Sequence, residues 1–199
     1  MRNILTSLFV FISVSVLAQT KECELKKNSD NILVYTCKSE NERLKSLKAT
    51  FTLSNTTIEE LLAFLKQVDR YTEWQYNMCS AKLLKPLSEE AMIVRTEIDA
   101  PWPVDNRELI VEYSFHQNLE DKKLKVITKT LNFDYPSSAD VVRVPFSYAE
   151  WEVTSINNTL YITYTMRIDP GGSVPAWLIN MAMADGPHQS FMKLKKLLE

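Results

Sequence analysis

The chain has 199 residues, 45% of them hydrophobic, with 23 Lys and Arg against 25 Asp and Glu and a formal net charge of −2. That length suits one domain with a full core, and the balanced charge, without a basic stripe, argues against a nucleic-acid partner. Its three glycines, Gly171, Gly172 and Gly186, rule out a Gly-rich phosphate loop.

The chain opens on Arg2, followed by an apolar stretch from Ile4 to Leu17 broken only by Thr6, Ser7, Ser13 and Ser15. Val16-Leu17-Ala18 then offers tolerated residues at a cleavage site. Residues 1–18 read as a secretory signal peptide, and residues 19–199 as the folded domain. The apolar run is short for a membrane span. Gln19 rather than Cys follows it, so no lipid anchor is expected. The expected location is periplasmic or secreted.

Export permits disulfides. Cys23 and Cys37 flank a predicted hairpin with the turn Asn28-Ser29-Asp30-Asn31. Pairing Asn28 with Ile32 sets Cys23 opposite Cys37, where a disulfide fits. Cys79 is left over and reads as a small, partly buried residue. No cysteine or histidine spacing suggests a metal site.

Cys23 to Leu25, Ile32 to Cys37 and Lys48 to Leu53 read as strands. At Thr57 the period changes. Thr57 and Glu60 form a capping box, and Ile58, Leu61, Leu62, Leu65 and Val68 follow at helical spacing. The helix ends between Asp69 and Trp74. Strands resume with a short one at Lys82 to Leu84, then Ala91 to Ile98. From Arg107 to Gln117 the alternation is clear: Leu109, Val111, Tyr113 and Phe115 share one face. Leu124 to Leu131, Val141 to Val144, Tyr148 to Thr154 and Thr159 to Ile168 complete the run, with Asn157-Asn158 as a tight turn. Residues 133–140 read as an irregular loop. Asp169-Pro170-Gly171-Gly172 then breaks the strand, Ser173 or Val174 caps a final helix, and Pro175 sits in its first turn. Gly186-Pro187 is expected to kink or interrupt that helix. Antiparallel strands with helices at fixed places predict an α+β fold.

Three segments resemble the START (StAR-related lipid-transfer) family. The first runs from Val68-Asp69 through Glu73-Trp74 to Asn77. The second is Asp99-Ala100-Pro101-Trp102-Pro103-Val104-Asp105-Asn106-Arg107-Glu108, with Glu108 where the family has Asp. The third runs from Asp169-Pro170-Gly171-Gly172 through Pro175-Ala176-Trp177-Leu178 to Asn180. The resemblance implies a helix-grip fold, a curved antiparallel sheet wrapped around a long C-terminal helix, with a tunnel between them for one lipid and no cofactor.

A hydrophobic ligand needs an apolar wall with a few polar groups to orient it. Leu109, Val111, Tyr113 and Phe115 are candidates for the strand wall. Trp177, Met181 and Ala184 are candidates on the helix, where an apolar stripe also serves as plain core. Ile93, Arg95 and Glu97 share one strand face. Either Arg95 and Glu97 form a surface pair, or Arg95 or Tyr113 pairs Glu97 inside and orients a ligand hydroxyl. Asn77, Asn180 and His188 are further polar candidates, and Trp102 edges the tunnel mouth or packs its loop. Asp169 and Arg107 read as structural, Asp169 capping a turn and Arg107 tying its loop to a carboxylate. The loop at residues 133–140 and the kinked helix are the expected lid.

No Gly-x-Ser-x-Gly elbow or Cys-His pair accompanies the only two histidines, His116 and His188. The expected function is binding and carrying a lipid or other apolar small molecule, as a monomer with transient membrane contact. An enzyme on the same scaffold, a cyclase or hydrolase of a hydrophobic substrate, is the alternative.

Overall fold

The computed structural model describes residues 22–38, 44–136 and 140–199. The expected signal peptide lies outside them. Strands β1 (Cys23–Ser29) and β2 (Ile32–Cys37) form the first hairpin. Its turn is the two-residue pair Asp30-Asn31, with φ of 55° and 57°. Asp and Asn tolerate this left-handed backbone, which matches the strand twist. The turn therefore starts two residues later than expected. A bulge between Leu25 and Lys27 absorbs the register change, so Cys23 still faces Cys37, and the two form a disulfide.

Strand β3 (Lys45–Ser54) leads to helix α1 (Ile58–Leu65). Thr57 Oγ1 accepts the Glu60 N–H at 3.2 Å, and the Glu60 carboxylate accepts the Thr57 N–H at 2.8 Å. That reciprocal capping satisfies two donors the helix end would otherwise orphan. A 3-10 turn, Val68–Arg70, and the short helix α2 (Tyr71–Trp74) follow. Then come β4 (Met78–Ser88), β5 (Ala91–Ile98), β6 (Asn106–Asn118), β7 (Lys123–Thr130), β8 (Val141–Arg143), β9 (Phe146–Ile156), β10 (Thr159–Asp169) and helix α3 (Ala176–Leu198). The sheet runs β1-β2-β3-β10-β9-β7-β6-β5-β4, every pair antiparallel, with β8 added in parallel to the start of β6. The fold is α+β, the helix-grip arrangement.

Two elements differ from expectation. Strand β4 has 11 residues rather than three, because three register shifts along its pairing with β5 break the alternation that would betray it. Helix α3 begins at Ala176 with Pro175 as its N-cap, and it runs unbroken through Gly186 and Pro187. Pro187 removes one donor from the helix ladder, and the surrounding turns hold.

The two halves of α3 are held differently. Its end is pinned to β3: Lys195 Nζ donates to the Thr52 carbonyl at 2.7 Å, and Glu199 accepts the Ser54 N–H at 2.8 Å. Phe191 stacks on Phe51 at 4.4 Å between centroids and meets Trp151 edge-on at 5.3 Å. With Leu194 fully buried, each such side chain contributes roughly 1.5–3 kcal/mol. The first half of α3 instead roofs a cavity.

Candidate functional site

The cavity holds about 310 Å³ between the sheet and α3. Side-chain alternation builds its floor. Register pairs Trp151 with Tyr164 and Val126 with Trp151, so these side chains share the inward face. Leu109 and Tyr113 from β6, Thr128 from β7, and Met166 and Ile168 from β10 complete it. Leu178, Ile179, Met183 and Pro187 of α3 lie above. Trp74, Tyr76 and Met78 form one side, and the 99–105 loop with Pro170 and Val174 forms the rim.

Polar groups are few. Burial raises the Tyr113 and Tyr164 hydroxyls above the ordinary tyrosine range, so both are neutral donors. Trp74 is buried, and its indole N–H has no hydrogen-bond partner among the described residues. An orphaned buried donor costs about 1–3 kcal/mol, a cost that a bound acceptor removes.

The rim is set by one turn and one arginine. Asp169 Oδ1 accepts the Gly171 N–H at 3.0 Å, as expected of a capping residue. Gly171 and Gly172 adopt φ of 65° and 61°, which glycine reaches without steric cost. The turn aims the Pro170 and Gly171 carbonyls at Arg107, which donates to them at 3.4 and 3.2 Å, and also to the Asp105 carbonyl. Arg107 thus ties its loop to backbone carbonyls, not to the expected carboxylate. Asn106 fixes the same loop, accepting the Ala100 N–H at 3.1 Å and donating to Asp99 at 3.0 Å.

Of the sequence candidates, Leu109, Tyr113, Asn77 and Met181 line the cavity. Val111 and Phe115 are inward and buried but stand away from it. The end of β6 is instead covered from the α1 side, where Lys66 sits 5.3 Å from the Phe115 ring and Gln117 bonds Glu59. Trp177 and Asn180 are exposed, and Ala184 is half-buried outside the lining. The lining face of α3 is therefore turned by about one residue from the predicted stripe. Trp102 is 91% exposed at the tip of the rim loop, so it does not pack the loop. His188 is not in the lining: its Nε2 lies 2.7 Å from Ser29 Oγ and 3.3 Å from the Asp30 carboxylate, clasping α3 to the first hairpin.

Arg95 and Glu97 do not face the cavity. The inward residues of β5 are Met92, Val94, Thr96 and Ile98, which pair with Tyr113, Val111, Leu109 and Arg107. Arg95 and Glu97 lie on the outer face, with Glu108. There Glu108 is fully buried, bonded by Arg95 through one oxygen and by Arg143 Nε and Nη2 through the other, at 2.9 and 2.6 Å. Arg95 Nη2 also bonds Glu97 at 3.0 Å. Tyr135 stacks over Arg95 at 5.8 Å, and its carbonyl accepts from Arg143 at 2.9 Å. The described part of the expected lid loop is thus fastened to the back of the sheet, not over the cavity; residues 137–139 lie outside the described set.

Sequence reasoning missed Trp74, Trp151 and Tyr164 as wall. For Trp151 and Tyr164 the alternation in β9 and β10 carried the signal.

A family model for the START domain matches residues 21–196. An uncharacterized protein of Pseudomonas aeruginosa is 23% identical over 183 residues, 92% of this chain and 89% of that one. The phosphatidylcholine transfer protein of Bos taurus is 28% identical over 129 residues, 63% of this chain and 57% of that one. Among solved structures, the STAR-related lipid transfer protein of Xanthomonas axonopodis aligns with a TM-score of 0.79 at 23% identity, covering 88% of this chain and 98% of that one. With both the match and the fold spanning nearly the whole described chain, this protein belongs to the START domain family.

Proposed function

We propose that the protein binds and carries one lipid-like hydrophobic molecule in the cavity between the sheet and α3. The carrying observation is the cavity itself: about 310 Å³, floored by Trp151, Tyr164 and Tyr113 and roofed by Met181 and Met183. A concave apolar wall with few polar groups is what such a ligand needs, and methionine adapts to irregular shapes. The names of the bovine and Xanthomonas proteins support the same reading.

Uptake is proposed to occur at the rim, beneath the first half of α3. Trp102, 91% exposed, follows the lining residue Pro101, and Trp177, 59% exposed, precedes the lining residue Leu178. Two exposed indoles flanking one cavity suit brief contact with a membrane interface, where tryptophan settles. The protein is proposed to act as a monomer. Export is proposed on the pattern of residues 1–18, and the Cys23–Cys37 disulfide supports an oxidising compartment.

Native mass spectrometry of the protein after exposure to a total membrane lipid extract tests the binding. A one-to-one complex with a lipid is expected. A protein that stays empty with every lipid in the extract overturns the proposal.

A further inference from the structure

Arg107 brings a guanidinium to the edge of a largely apolar cavity. Its side chain lines the cavity and is buried. Three backbone carbonyls, those of Asp105, Pro170 and Gly171, receive its hydrogen bonds. A guanidinium carries five N–H donors, so two are left over. Other arginines of the chain solve their charge differently: Arg95 and Arg143 share Glu108, and Arg70 pairs with Glu73. Arg107 has no ion-pair partner among the described residues. Asp105 acts on it only at longer range, and burial weighs against its charged form.

Carbonyl dipoles solvate a cation without neutralising it. A buried charge is costly until an opposite charge meets it. Asp99 also lines the cavity, but its carboxylate is engaged by Asn106 at 3.0 Å. Lys45 adds a second cationic side chain to the same lining. The cavity thus offers an apolar body with a fixed cation at its rim, where the Asp105 loop meets the Pro170 turn. Its volume of about 310 Å³ sits at the small end of ligand sites, which run from about 300 to 1,000 Å³.

We infer that Arg107 is an anion subsite, and that the ligand is an amphiphile with one hydrocarbon chain or ring system and a carboxylate or phosphate head. This rests on the binding function proposed above. The head takes the two remaining guanidinium donors, a planar pairing that carboxylate and phosphate both fit. The chain runs from the rim toward Trp151 and Phe191. Arg107 then has two tasks, holding the Pro170–Gly171 turn and receiving the head.

The test titrates delipidated protein with three probes of one chain length, at sub-micellar concentrations: hexadecanoic acid, hexadecyl phosphate and hexadecanol. The wild type is expected to hold the acid, the phosphate or both about tenfold or more tighter than the alcohol, the worth of one charge-assisted contact. The acid and phosphate arms separate a carboxylate head from a phosphate head. Arg107→Gln brings the charged-to-neutral ratio toward one, and Arg107→Lys keeps part of it. Should Arg107→Gln fail to fold, titrating hexadecanoic acid against pH on the wild type replaces it: its affinity falls toward that of the alcohol as its carboxyl is protonated, and an affinity that does not fall overturns the charge contact. Equal affinity for all three probes, or preference for the alcohol, overturns the anion subsite and leaves the lipid-binding function standing. Failure to bind any of the three also overturns it, and the lipid-extract experiment then decides the wider function.

Discussion

Glu108 Oε1 lies 2.6 Å from Arg143 Nη2 on the face of the sheet that turns away from the cavity. With Arg95 on the other oxygen, this one fully buried carboxylate joins β5, β6 and β8. Removing one partner from a buried ion pair costs about 3–5 kcal/mol, because the remaining charge stays buried and unmatched. Glu108→Gln leaves Arg143 without its carboxylate and Arg95 with Glu97 alone, so a loss toward the lower end of that range is expected, read by chemical denaturation at neutral pH.

The same residue sets part of the acid response. Burial alone would raise its carboxyl, but Arg143 and Arg95 outweigh it and hold it below the ordinary glutamate range. As pH falls, the unfolded chain therefore takes up this proton first. The contribution is complete above about pH 5 and drains away as pH drops through about 4.3 and on to the lower folded value. Stability measured against pH should fall less steeply below about pH 5 in Glu108→Gln than in the wild type. Parallel acid limbs would count against this account.

Filling the cavity should separate binding from folding. Leu109, near the start of β6, projects into the lining. In Leu109→Trp the larger ring enters empty volume, so the change in stability should stay below the about 1–3 kcal/mol that overpacking a filled core costs. Lipid capture, followed by native mass spectrometry, should be lost. A variant that still binds as the wild type does would place the ligand elsewhere.

How far the sequence could be read follows from burial. On β6 the inward positions Leu109, Val111, Tyr113 and Phe115 are all apolar or aromatic, whereas Ile110 shares the other face with Glu112 and Ser114, so alternation identified the inward side. On β5, Met92, Ile93 and Val94 are all buried, and a strand covered on both faces does not reveal which face is which. The grouping of Ile93, Arg95 and Glu97 was legible, while their direction was not. The partners that decide it, Glu108 and Arg143, come from β6 and β8. Arg107 was hidden for a similar reason. Its carbonyl partners in the Pro170–Gly171 turn lie 63 and 64 residues away, and backbone acceptors leave no trace in residue identity. On α3, the large apolar Trp177 suggested the wrong phase. In the first half of the helix Leu178 and Met183 are buried instead, while Phe191 and Leu194 are buried further along it.

The exposed indoles give a prediction about membranes. Trp102→Ala and Trp177→Ala each remove one side chain from the rim without touching the core. Burying such a side chain is worth roughly 1.5–3 kcal/mol, or about tenfold or more in affinity. Sedimentation with phosphatidylcholine vesicles should show each single variant bound about tenfold more weakly and the double variant nearly unbound. Thermal stability should hardly move. Undiminished vesicle binding by the double variant would rule this rim out as the contact surface.

The last prediction concerns the first hairpin. Cys23 and Cys37 close a loop with a sequence separation of 14, and a cross-link over such a loop is worth about 3 kcal/mol. The hairpin it staples holds α3 through Lys27 to Asp185 at 2.7 Å and through Ser29 and Asp30 to His188. Replacing both cysteines with serine should lower Tm by roughly 6–12 °C for a domain of this size. A reducing agent should produce the same drop in the wild type and none in the double variant. Hydrogen exchange adds the spatial reading. Protection should fall first in β1 and β2 and in the α3 segment around Asp185 and His188, while Leu194, pinned over β3, stays protected. Uniform loss along α3 would mean that the hairpin clasp does not hold the first half of the helix.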